Sequence, residues 1–269
     1  MLAIDADPLA LERIGKRLHS PLVLGRLTLA HGNFAMLHSI AEQTGFDSVD
    51  GILLDLGLSS DQLADRERGF SFSVDAPLDM RFDPAQPVNA ADLVNSLSEQ
   101  QLADLFWQYG EERRSRQIAR RILHARARQP ITRTEQLAQV VAAGTHGHPG
   151  GIHPATRAFQ ALRIAVNREL ENLAAALPQA VGLLKPGGRL AIISFHSLED
   201  RIVKRYFQTE ARDCLCPSRM PVCVCGHQAQ LQIVTLHPLV ATEAEQQQNP
   251  CSRSARLRIA ERKDTRCPT

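Results

Sequence analysis

Between Met1 and Gln62, short apolar runs alternate with helical stripes. Leu2-Ala-Ile-Asp5 is a brief run ending on an acid. Leu11, Ile14 and Leu18 then recur on one helical face, for which Asp7 is a suitable cap and Pro8 a suitable first residue. Leu27-Thr-Leu-Ala-His-Gly-Asn-Phe34 reads as a strand running into a turn, followed by a helix from near Met36 to Thr44. The chain is organised around Gly51-Ile-Leu-Leu-Asp-Leu-Gly-Leu-Ser-Ser60. Its three consecutive aliphatics between Asp50 and Asp55 predict a strand buried on both faces that ends abruptly in a loop.

From Leu63 to about Pro154 the alternation stops. Acidic and Gly/Pro-punctuated loops give way to helical patterns with no convincing strand, which predicts a helical insertion into a sheet domain. The expected organisation is a discontinuous domain of residues 1–62 and 155–269 with an inserted helical domain at 63–154. Within the insertion, Arg66-Glu-Arg-Gly-Phe-Ser-Phe72 and Pro77-Leu-Asp-Met-Arg-Phe-Asp-Pro84 are expected to be loops with exposed aromatics and paired charges, of the kind that carry function. Helices are expected over Ser98–Tyr109 and Glu112–Arg128, the second with Ile118, Ile122 and Ala125 inward and most arginines outward. Thr132-Arg-Thr-Glu135 resembles a capping box opening a helix to Ala143, and Gly144–Gly151 reads as a linker.

Phe159, Leu162, Val166, Leu170, Leu173 and Leu177 predict one long helix over Thr156–Leu177, with Arg157, Arg163 and Asn167 off the stripe and able to face a ligand. A Lys-Pro-Gly-Gly turn then leads into a second buried strand ending at Phe195, with His196-Ser-Leu-Glu-Asp-Arg201 beyond it. Ala229–Leu236 and Ser254–Ala260 alternate as the antiparallel edge of a mixed sheet.

Composition adds three constraints. A hydrophobic share of 43% over 269 residues is ample for a packed core, while 4% aromatics and a single tryptophan leave few rings for base stacking. The net charge of +2 conceals clusters: eight arginines against two glutamates over Gly110–Arg133, and six Lys/Arg against two acids over Cys251–Arg266. Such patches attract phosphates at short range, although each also reads as a solvated face. No signal peptide is visible after Met1 and no apolar run approaches the ~20 residues that span a bilayer, so a soluble cytoplasmic protein is expected.

The candidate chemistry lies at strand ends, where open α/β sheets hold their ligands. Asp55 is the central carboxylate. Asp5 is placed to accept hydrogen bonds from ribose hydroxyls, and Phe34 with Asn33 either sandwiches an adenine or staples the next helix. His196 and Glu199 are second candidates for substrate contact. Cys214, Cys216, Cys223 and Cys225 form C-x-C-x6-C-x-C, which reads either as a zinc site of unusually tight spacing or as reduced loop thiols, with Pro217 and Pro221 stiffening the loop. No metal is assigned to the candidate active site.

Several stretches together carry a family resemblance. They are Ala3-Ile-Asp-Ala-Asp-Pro8, His31-Gly-Asn-Phe34, Asp50–Ser60 with Gln62, Arg68-Gly-Phe-Ser-Phe72, Pro77-Leu-Asp-Met-Arg81, Tyr109-Gly-Glu-Glu-Arg113, His153–Arg163 and Ser194–Lys204. The chain resembles the small-subunit ribosomal RNA cytosine-N4 methyltransferase family known as RsmH or MraW. The resemblance implies an α/β, Rossmann-like S-adenosylmethionine-dependent methyltransferase sheet with an inserted all-helical domain. It further implies methyl transfer to the N4 amino group of a cytidine in the decoding centre of 16S rRNA, on naked RNA or the small ribosomal subunit. By the same resemblance Asp5 holds the cofactor ribose, Phe34 lies against the adenine, and Asp55 and Gln62 complete the pocket, with Asp55 also the candidate catalytic group. The Asp/Asn-Pro-Pro-aromatic motif of other amino-methyltransferases is absent, so no DNA substrate is expected.

Family members begin with a strand and a Gly-x-Gly-Gly-His type loop, whereas this chain starts at the second strand. With the first strand missing, two buried sheet edges are expected to lie unpaired. The expectation is a longer natural chain; the alternative is a catalytically impaired RNA-binding remnant.

Overall fold

The structure is a computed structural model that describes residues 1–18, 25–143, 153–217, 220 and 222–264. The Gly144–Gly151 stretch and Pro221 lie outside the described residues. The fold is of the expected α/β class, and the chain divides into two compact units, one of Met1–Gly57 with Leu170–Thr269 and one of Leu58–Glu169.

In the sheet unit, β1 (Leu2–Asp5) leads to α1 (Pro8–Arg17), β2 (Thr28–His31), α2 (Leu37–Gln43) and β3 (Val49–Asp55). Asp7 caps α1 by accepting the Leu9 N–H and Pro8 opens it, as the residue types require. After the insertion come α9 (Glu169–Leu183), β4 (Leu184–Ser194), α10 (Ser197–Glu210), β5 (Leu231–Ile233), β6 (Leu239–Val240), α11 (Glu243–Gln248) and β7 (Arg256–Arg262). Strand β3 pairs parallel with β4, and β7 runs antiparallel between β4 and β5, with β6 on its flank. The Lys185-Pro-Gly-Gly188 stretch loops out of the β3–β4 ladder, where the register shifts. Gly188 is confined there: a Cβ would sit 2.9 Å from the Lys185 carbonyl.

Strands β1 and β2 pair parallel with each other but form a sheet of their own, separate from β3-β4-β7-β5. Both sheets nonetheless feed one core, in which Leu2, Ile4 and Phe34 pack with Leu54, Leu56, Leu177, Leu184, Ile192 and Phe207. The expectation that β3 is buried on both faces is wrong. Leu54 and Leu56 are buried, but Gly51, Leu53 and Asp55 are exposed, Leu53 by 63%. Among the described residues β3 is also an edge strand, with one hydrogen-bonding edge unpaired by another strand.

The helical unit comprises α3 (Ser60–Ala64), α4 (Ala90–Ser96), α5 (Glu99–Gly110), α6 (Ser115–Arg126), α7 (Thr134–Ala142) and α8 (Thr156–Asn167). Leu102, Phe106, Ile122, Leu137 and Leu162 are wholly buried in its core. This unit reaches beyond residues 63–154 at both ends. Leu58 packs against its core, and α8 supplies Phe159, Ala161 and Leu162 to it, so Gln62 and α8 stand outside the sheet unit in which they were expected. The long helix expected over Thr156–Leu177 is also broken: Arg168 adopts a left-handed backbone (φ 50°) that ends α8 before α9 begins.

The two loops of the insertion form an internal knot instead of an exposed surface. Arg68 donates to the Arg81 and Phe82 carbonyls at 2.7 and 2.8 Å and lies over the Phe70 ring. Phe70 stacks on Phe82, and Phe72 packs edge-on to Phe159. Gly69 has φ +68°, and a Cβ would sit 2.1 Å from the Pro77 carbonyl oxygen, so only glycine fits. Asn167, expected to face a ligand, is 2% exposed; it accepts the Phe82 N–H and donates to the Met80 carbonyl, both at 2.7 Å. Arg163 is likewise engaged, forking onto Glu169 at 2.8 and 2.9 Å.

Candidate active site

Parallel pairing sets the carboxyl ends of β1 and β2 side by side. Asp5 is in register with His31, and the Gly32 N–H donates to the Asp5 carbonyl at 3.0 Å, which brings the Asn33-Phe34 turn next to Asp5. Asn33 caps that turn by accepting the Ala35 N–H, so its amide oxygen serves the backbone. Gln179 of α9 fixes the turn from below, donating to the Ala35 carbonyl at 2.7 Å and accepting the His38 N–H at 2.9 Å. Phe34 keeps a half-buried ring that packs on the core.

The Asp5 carboxylate accepts the Asp7 N–H at 2.8 Å. Burial holds this carboxyl above its ordinary value; the Asp7 N–H opposes the shift, and the Asp7 charge adds to it. Asp55 closes β3, and the next residue is tied in by the Leu56 N–H donating to the Ile193 carbonyl at 3.0 Å. Its side chain is exposed, yet protein crowds it enough that loss of hydration alone raises its pKa. Asp5, Phe34 and Asp55 thus stand at or just beyond the carboxyl ends of parallel strands over one core.

Gln62, the fourth residue expected at the cofactor, belongs to the helical unit. It is buried in the helical unit, where its Oε1 accepts the Ser59 N–H at 3.0 Å while the Ser59 hydroxyl accepts the Gln62 N–H. This is a capping box for α3, and the Ser-x-x-Gln spacing carries that signal in the sequence. His196 and Glu199 make the same device at α10: Glu199 accepts the Phe195 N–H at 2.9 Å, and the His196 Nδ1 accepts the Glu199 N–H. His196 Nε2 stands 3.2 Å from Glu199 Oε1.

The basic clusters divide into structural and free-standing members. Arg126 caps α4 through the Val94 and Leu97 carbonyls, and Arg133 pairs with Asp75. Arg256 and Arg258 converge on Asp200, while Arg262 donates to the Gly182 and Leu184 carbonyls. In contrast, Arg113, Arg114 and Arg116 are exposed at the start of α6. With the 58%-exposed Trp107 they line a cavity of about 620 Å³ in the helical unit. Sequence reasoning passed over Trp107, although a lone tryptophan beside an arginine run was the available signal.

A parallel sheet with acids at its strand ends, completed by an antiparallel strand between β4 and β5, defines the class as a Rossmann-like methyltransferase fold. Residues 1–263 match the model of the MraW methylase family. The chain is 58% identical over 262 residues to ribosomal RNA small subunit methyltransferase H of Thermomicrobium roseum, an alignment covering 97% of this chain and 80% of that one. It is 51% identical to the enzyme of the same name from Dehalococcoides mccartyi, covering 97% of this chain and 74% of the relative. The corresponding protein of Brevibacillus brevis is 44% identical, with 97% and 83% covered. The chain belongs to the MraW methylase family. No helix among the described residues is long and apolar enough to cross a membrane.

Proposed function

We propose that this chain transfers a methyl group from S-adenosylmethionine to the exocyclic N4 of a cytidine in the decoding centre of small-subunit rRNA. The reading is supported by Asp5 and Asp55 at the carboxyl ends of parallel strands, with the Phe34 turn beside Asp5, in a chain of the methylase family. The site residues fit the ribose and adenine end of the donor: a half-buried carboxylate already ordered by one N–H, beside a partly exposed ring on a turn whose backbone Gln179 holds. Bound there, S-adenosylmethionine supplies an electrophilic methyl group. Asp5 accepts hydrogen bonds from the ribose hydroxyls, and Phe34 flanks the adenine. Asp55 accepts a hydrogen bond from the cytidine amino group, drawing on the proton that must leave as the nitrogen lone pair is used; its raised pKa makes it a stronger acceptor.

The relatives' names support a ribosomal RNA substrate. So do the helical unit's exposed Arg113, Arg114 and Arg116, which suit phosphates, and Trp107, which suits an unstacked base. Methyl transfer from labelled donor to small subunits lacking the mark, with mass spectrometry of the rRNA, tests the reading: one N4-methylcytidine in the decoding centre is expected, and its absence with active subunits present overturns it. Replacing the three arginines by serine is expected to weaken RNA binding and to lower its salt dependence, by about 0.7 in log–log slope for each phosphate no longer neutralised.

A second reading, RNA binding without turnover, is favoured by the division of the sheet and the exposure of Leu53. Calorimetric titration with S-adenosylmethionine separates the two, since RNA binding without donor binding supports the second.

A further inference from the structure

The loop between α10 and β5 gathers Cys214, Cys216, Cys223 and Cys225, whose sulfurs all lie within 4.8 Å of one another. Cys214–Cys223 is 3.4 Å, Cys223–Cys225 3.6 Å, Cys214–Cys225 3.8 Å and Cys216–Cys223 4.0 Å. Four sulfurs in a tetrahedron around zinc at ~2.3 Å are about 3.8 Å apart, which these separations bracket. A disulfide needs sulfurs at about 2.05 Å and in pairs. Here Cys223 approaches all three of the others, so the arrangement is a cluster and not two pairs.

Peptide groups are turned toward the sulfurs. The Leu215 N–H donates to Cys225 Sγ at 3.3 Å, and the Cys216 and Val224 N–H groups donate to Cys214 and Cys216 Sγ at 3.4 Å. Such donors stabilise thiolate charge around a metal. Among the described residues the loop has no apolar interior to hold this geometry: Leu215, Met220, Val222 and Val224 are 42–72% exposed. Its ends are fastened by the Gln230 N–H donating to the Glu210 carbonyl at 2.8 Å, by His227 Nε2 at 3.2 Å from the Thr209 carbonyl oxygen, and by the Ala229 N–H donating to Asp213.

We propose that Cys214, Cys216, Cys223 and Cys225 form a structural zinc site that closes this loop. It is independent of the methyl-transfer reading. On binding, each of the four cysteine S–H bonds breaks and a Zn–S bond forms; the protons pass to solvent, zinc stays divalent, and no electron is transferred. With four protein ligands the coordination sphere is full, which makes the role structural.

The test is elemental analysis of the full chain purified under reducing conditions without chelator. One zinc per chain is expected, lost in the Cys214→Ser/Cys225→Ser double variant and retained in Cys251→Ser, which alters an exposed cysteine outside the cluster. Proteolysis within residues 211–230 is expected to accelerate at least tenfold on metal removal. Should the double variant fail to fold, the native chain stripped by chelator and titrated with cobalt(II) is expected to develop thiolate charge-transfer and tetrahedral d–d bands saturating at one equivalent. A metal-free chain with no cobalt bands, bound iron in place of zinc, two disulfides in the freshly reduced protein, or zinc retained by the folded double variant would each overturn the proposal.

Discussion

The acids singled out in the two units are treated differently. In the helical unit the motif residues are turned inward and matched. Burial pushes the Asp79 carboxyl up, but the Arg81 fork at 2.7 and 2.8 Å outweighs it and holds the group below the ordinary range. Arg68 and Asn167 similarly close the Met80–Phe82 turn. In the sheet unit Asp5 and Asp55 are held above their ordinary values by lost hydration, with no arginine fork to offset it. A carboxylate kept at an electrostatic cost is what a reacting site needs, whereas a fully matched one builds structure. Unusual motif residues are therefore poor guides to chemistry until their partners are known.

The largest expected effect tests that division at Asp55. Asp55→Asn is expected to reduce kcat by about 10²–10⁴-fold, the range for a positioned acid–base group, while raising stability at neutral pH. The sign follows from the raised folded pKa: stability linked to Asp55 is present below its unfolded value and lost as pH rises through the folded one, so the wild type bears the cost at pH 7. Turnover and thermal melts across pH check both halves; a less stable, fully active variant would erase the contrast.

Asp200→Asn shows that matching is not confined to the helical unit. Asp200 receives Arg258 at 2.6 and 3.1 Å and Arg256 at 3.3 Å, and Arg258 is only 7% exposed. Removing the acid strands a buried cation, at about 3–5 kcal/mol by denaturant titration. Although burial raises its pKa, the arginines dominate and lower it, so the stability it confers is present above its unfolded value and lost as pH falls through the folded one. The variant is expected to lack that acid-side loss.

Asn167→Ala is expected to destabilise the helical unit by about 1–3 kcal/mol for each stranded group, the Met80 carbonyl and the Phe82 N–H. Turnover of the molecules that remain folded should be unchanged, and a selective loss of kcat would place Asn167 among the reacting groups after all. The smallest effect belongs to Leu53→Thr, expected within about 0.5 kcal/mol of wild type because the side chain is 63% exposed.

Elements with a local signature were legible in the sequence. The Asp7-Pro8 helix start, the strand ending at Asp55 and the antiparallel Arg256–Arg262 strand all follow from caps and alternation. Of the candidate site, Asp5 and Asp55 were found at strand ends as expected from the apolar runs that precede them. What stayed hidden depends on distant partners. The apolar stripe through α8 and α9 continues across Arg168, and no glycine marks the left-handed joint. The knot around Met80 is made by Arg68, Thr132 and Asn167, far apart in the chain, so its loops looked like free surface. An Ile-Leu-Leu run predicts burial, but the cover over Leu53 is a property of neighbours and not of the run.

The uncovered side of β3 also bears on how the protein behaves in a tube. Among the described residues this ladder is paired on one side only, which makes it a template for an extended peptide, and an outward leucine adds adhesion. Concentrating the chain should therefore favour slow, seeded association, visible as rising light scatter long before the helices melt.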